Sequence, residues 1–132
     1  MKRVTHIILI LVAISLPLHA QSDTLSFAPA EDESDSLEYE LIVMDPGYET
    51  FLVSQLPMEY HTQQYYETWN QRYVREWNYR HDHPFEYGDN YETYIDYQPD
   101  IDYGLELNYR LYYYFRFYEK ENGVDLLPEK VF

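Results

Sequence analysis

A chain of 132 residues with 24 acidic and nine basic side chains carries a formal charge of −15, a field that repels nucleic acid and anionic lipid headgroups alike. It contains no cysteine, which excludes disulfides, thiolate metal sites, a cysteine nucleophile and lipid attachment at a lipobox cysteine. Its seventeen tyrosines suit a thin core, because each buries a large ring while keeping a polar tip.

Taken in order, residues 1–20 read as an export signal. Lys2 and Arg3 precede an apolar run from Ile7 to Leu18, and Leu18-His19-Ala20 offers a cleavage site before Gln21. The run is shorter than the ~20 residues of a membrane span, so a retained anchor is the weaker alternative. Removing the signal leaves seven basic against 24 acidic residues, a charge of −17. Residues 21–37 hold acids, no base and little apolar material, which predicts a disordered acidic tether. The expected product is soluble and exported, periplasmic in a Gram-negative host.

The domain is expected over residues 38–121. Tyr39 to Met44 reads as a short buried strand, and Asp45-Pro46-Gly47 as a turn. Tyr48 to Leu56 reads as one or two helical turns stopped by Pro57. From Thr62 to His81 the period is helical: Tyr66, Trp69, Tyr73, Val74 and Trp77 share a side, while Gln64, Glu67, Gln71, Arg75 and Asn78 form a solvated face. Thr62 is the expected N-cap, Glu76 and Arg80 an i,i+4 pair, and Pro84 the stop. Asn70 and Arg80 fall on the aromatic side, where burial demands partners. Arg80 is expected to meet a carboxylate from Asp96–Asp102. An irregular loop follows, and then Tyr91 to Tyr97 alternates as a second strand would.

Tyr103 to Glu121 fits two descriptions. As a strand, its rings alternate with Glu106, Asn108, Arg110 and Arg116; as a helix, Leu107, Leu111, Tyr114, Phe115 and Tyr118 form a core stripe. Length and the charges at its ends favour the helix. Tyr109, Tyr113 and Phe117 would then line its far side as a stripe for a glycan or a protein contact. Residues 122–132 read as a loose tail. The expected architecture is a small α+β domain of two short strands, two long aromatic-rich helices and one short helix. A transmembrane β-barrel is excluded by the central helix and the prolines.

Glu40-Leu41-Ile42-Val43-Met44-Asp45-Pro46-Gly47-Tyr48, Glu76-Trp77-Asn78-Tyr79-Arg80, and Ile95 to Gly104 with Asn108-Tyr109 carry a resemblance. Over roughly residues 38–120 the chain resembles a family of small exported proteins and lipoproteins of Gram-negative bacteria, catalogued as a domain of unknown function. The resemblance implies export and lends no activity. Lipid tethering does not carry over, because the cysteine is missing.

Candidate chemistry is sparse. His81 and His83 form an H-x-H pair at a helix end, where protonated imidazoles suit the dipole, and His61 lies ~30 Å away at the other end of a twenty-residue helix. Asp96, Asp100, Asp102 and Glu106 crowd oxygen ligands near a turn and are the calcium candidates, without the spacing of an EF-hand. No nucleophile sits in a recognisable elbow, and no enzyme activity or cofactor is expected. The expected role is a non-enzymatic envelope protein acting by protein contact or as a structural module, with Asn70, Trp77, Arg80, Tyr109, Tyr113 and Phe117 as structural or interaction residues. Glycan binding through exposed tyrosines is the alternative.

Overall fold

The computed structural model describes residues 10–14 and 38–128. Strand β1 (Ile10–Ile14) pairs antiparallel with β2 (Glu38–Ile42), placing Leu11 opposite Leu41 and Val12 opposite Glu40. Then come α1 (Tyr48–Val53), a single 3-10 turn (Met58–Tyr60), α2 (Gln63–Asp82), α3 (Pro84–Tyr87) and α4 (Gly104–Asn122). The domain is mostly helical, and of the two strands expected in it, one forms. The tether expected over residues 21–37 and most of the expected signal lie outside the described residues.

Local chemistry explains most boundaries. Gly47 turns the chain into α1 with φ of 91°, a left-handed conformation that costs a glycine little. Thr62 caps α2, its hydroxyl accepting from the Tyr65 N–H at 3.2 Å. Pro84 ends the run of α2 yet starts α3, because proline fits the first helical position as well as it blocks an interior one. This short helix replaces part of the expected irregular loop. Residues 104–122 are helical, and Asp102 holds the first N–H, that of Gly104, at 3.0 Å. None of the described helices is long and apolar enough to cross a membrane.

Packing of α2 on α4 makes the core. Tyr73 stacks on Phe115 with centroids 4.8 Å apart, and Trp77 meets Tyr118 edge-on at 4.8 Å and Tyr91 at 4.9 Å. Such ring pairs contribute about 0.5–1.5 kcal/mol beyond the area they bury. Hydroxyl tips at the edge of this core tie neighbouring segments together: Tyr66 donates to the Met58 carbonyl, Tyr109 to the Leu56 carbonyl, and Tyr73 of α2 to Glu119 of α4. Tyr114 is the exception. It is fully buried, and its hydroxyl has no hydrogen-bond partner among the described residues.

The segment Tyr91–Tyr97 is not a strand. Its alternation is real, since Tyr91 and Ile95 are buried while Glu92, Tyr94 and Asp96 are exposed. Helix side chains, however, take the backbone bonds that a strand neighbour would make. The Asn78 amide grips both sides of Ile95, donating to its carbonyl at 2.9 Å and accepting from its N–H at 2.9 Å, and the Trp77 indole donates to the Thr93 carbonyl. Asn78 is therefore part of the fold and not of a solvated face.

The tail is docked further than expected. Leu126 is fully buried and its N–H donates to Glu119, so the packed chain continues past residue 121.

Candidate functional site

Helix α4 has two faces near its start, and they differ in kind. Toward α2 lies a closed polar seam. Asn70 and Asn108 are both fully buried. The Asn70 amide donates to the Asn108 carbonyl at 2.9 Å and to Asn108 Oδ1 at 3.2 Å, Tyr97 donates to the same Oδ1 at 2.8 Å, and Asn108 donates to the Gly104 carbonyl. This seam fixes the rotation of α4 against α2 and seats the 91–97 segment. Burial beside Glu67 and Tyr103 pushes the Tyr97 hydroxyl well above its ordinary pKa, so it stays a donor.

Toward β2 lies a cleft of about 810 Å³. Buried Leu41 and Leu107 line it, together with Tyr39 and Tyr103, whose rings meet edge-on at 4.8 Å. Tyr103 in turn stacks on Tyr97 at 5.1 Å, which connects the cleft wall to the seam. Glu40, Glu49, Asp102 and Glu106 supply four carboxylates, and among the described residues Arg110 is the one base in the lining. Arg110 is already paired with Glu49 and lies over the Tyr48 ring at 5.4 Å. The Asp102 carboxyl is held below the usual carboxylate range by the Gln63 amide and the Gly104 N–H, so it keeps its charge into mild acid. The cleft therefore presents negative charge over aromatic walls, an arrangement that attracts cationic side chains and offers rings for them to lie on.

The residues singled out from sequence are scattered by the fold. Asn70 belongs to the seam, and Trp77 is core. Arg80 does not meet a carboxylate of Asp96–Asp102: it is half-buried, bonded to Glu76 at 2.7 Å, to the Tyr91 hydroxyl at 3.0 Å and to the Asp125 carbonyl at 3.4 Å. Those partners come from its own helix and from segments that pack beside it. Tyr109, Tyr113 and Phe117 do not form an exposed stripe, being 9%, 6% and 3% exposed. Phe117 is covered by Tyr48 and Phe51 from α1, and Tyr109 by Tyr66 of α2. The calcium candidates Asp96, Asp100, Asp102 and Glu106 do not gather: among the described residues, no group of three or more acids or histidines could hold a metal ion. Gln63 and Gly104 explain Asp102 without one. His81 pairs with Asp82, and His83 bonds the Tyr79 carbonyl, so the two imidazoles serve the helix end.

The family pattern matches residues 3–128, which takes in β1 as well as the domain. The chain belongs to a family of unknown function, DUF6146. No curated protein and no solved structure matches it. Within this family member, sequence reasoning reached Asp102 and Glu106 for a different reason and missed Glu49 and Arg110. Those two are 61 residues apart, and only the folding of α1 onto α4 joins them.

Proposed function

We propose that the chain works as a non-enzymatic interaction module of a Gram-negative envelope, meeting a protein partner at the acidic cleft beside β2. The observation that carries this reading is the cleft itself, four carboxylates and two tyrosines around an opening whose one base among the described residues, Arg110, is already paired. A basic n-region, an apolar run and a small-residue cleavage site at its start support export, and the acidic stretch that follows supports a tether. After removal of residues 1–20 the product is soluble and periplasmic. Tyr109, Tyr113 and Phe117 are buried, so a glycan reading would fall to the exposed Tyr60, Tyr79 and Tyr94 instead.

Crosslinking in intact cells, followed by purification of the tagged chain, tests the reading. One specific partner should be recovered with the natural chain and lost with the double variant Glu40→Lys, Glu106→Lys. Recovery of no partner, or of the same partner in equal amount with the variant, overturns it.

A further inference from the structure

Strand β2 has one strand partner among the described residues, and that partner is β1. The pairing covers the whole of β2, from Ile10 opposite Ile42 to Ile14 opposite Glu38. Yet Ile10–Ile14 falls inside the apolar run that the proposed export step removes. Among the residues whose burial is described, the core runs from Leu41 to Leu127, and the one described element that β1 contacts is β2. Export would therefore take away the strand partner of β2 and leave a row of its backbone N–H and C=O groups open. An open edge of this kind is a template for another strand.

We propose that the exported chain binds its partner by strand addition: an extended apolar segment of another protein takes the place of Ile10–Ile14 on β2, and basic residues flanking it lie in the acidic cleft. The proposal rests on the interaction reading above and names its partner chemistry. Three observations select that occupant. The strand already seated on β2 reads ILVAI, uncharged and rich in β-branched residues, so this edge accepts such a sequence. Tyr39, Glu40 and Leu41 belong both to β2 and to the cleft lining, so a strand on β2 pairs with residues that also line the acidic cleft. A second copy of the chain is a poor occupant, because each mature copy carries −17 and antiparallel self-pairing centred on Glu40 sets that carboxylate against its own image. Backbone bonds would supply affinity and the cleft would supply selection, the division of labour usual in strand addition.

The test uses the processed chain recovered from the envelope, its N-terminus read by mass spectrometry. The probe is a synthetic peptide of residues 8–16 with two lysines at each end. The processed chain should bind it, and hydrogen exchange at the amides of 39–42 should slow on binding. The unprocessed precursor should not bind. A peptide methylated on alternate backbone nitrogens should fail, and one flanked by glutamates should bind about tenfold more weakly at low salt. The variant Glu40→Lys, Glu106→Lys should reverse the order of the lysine and glutamate peptides. Retention of residues 1–20 in the recovered chain overturns the proposal. So does unchanged exchange at 39–42 on adding the lysine peptide, or slow exchange there in the processed chain alone. A crosslinked partner lost by the cleft variant, with exchange at 39–42 unaffected, would leave the interaction reading standing and remove strand addition alone.

Discussion

The two sides of α4 show how one helix can be built for opposite purposes. Toward α2 the seam is closed: Asn70 and Tyr97 both donate to Asn108, Asn70 and Asn108 are fully buried, and Asn70 Oδ1 alone has no partner among the described residues. Toward β2, the same helix presents Glu106 and Arg110 to an open cleft, with Tyr103 as the wall common to both regions. Buried polar groups are expensive unless paired, so the seam tolerates few changes. Exposed carboxylates cost little to hold or to reverse, so the cleft is free to answer to a partner.

Substitutions in the two regions should therefore separate stability from binding. Trp77→Ala removes the largest buried side chain and its bond to Thr93, and should cost about 3–5 kcal/mol in urea unfolding. A smaller loss, about 2–3 kcal/mol, is expected for Asn108→Ala, which leaves the Asn70 amide and the Tyr97 hydroxyl short of a partner. Tyr114→Phe should go the other way, neutral or stabilising by up to about 1 kcal/mol, because it deletes a buried hydroxyl with no partner among the described residues. Reversing Glu106 to Lys should stay within about 0.5 kcal/mol and act on partner recovery instead. A cleft reversal that unfolded the chain, or a seam truncation that did not, would erase the distinction.

Alkaline pH gives a further way to sharpen the comparison. Burial pushes the Tyr66 hydroxyl up to about 12, with nearby Tyr113 adding to the shift. Its folded pKa lies above its ordinary value of about 10, so the stability linked to it is fully present below pH ~10 and is lost as pH rises toward ~12. Other core tyrosines, Tyr48, Tyr97, Tyr114 and Tyr118 among them, are raised for the same first reason. Tyrosinate absorbance should therefore lag behind that of free tyrosine and then rise together with loss of the folded circular-dichroism signal. Independent titration of these rings in a chain that stays folded would contradict a tyrosine-built core.

Helix α2 was legible in the sequence because its rings repeat at helical spacing and Thr62 caps it, whereas α4 was told from a strand by its length and the charges at its ends. Tyr91–Tyr97 misled for a physical reason: its alternation records one buried face, and alternation says nothing about who supplies the backbone bonds. Here Asn78 and Trp77 do. The far stripe of α4 misled because the cover over Phe117 comes from α1, whose docking leaves no trace in the spacing of α4. The cleft was least legible of all. Glu40, Glu49 and the Asp102–Arg110 stretch come from three separate parts of the chain and meet only once β2 and α1 lie against α4.

Photo-crosslinking from single positions in living cells tests most directly whether the cleft is the working surface. A crosslinking residue placed at Glu106, at the cleft, should capture a discrete partner, while the same residue at Arg75, on the exposed side of α2, should capture none. Equal capture from both positions, or capture from Arg75 alone, would contradict a division between a closed seam and an open, partner-binding cleft.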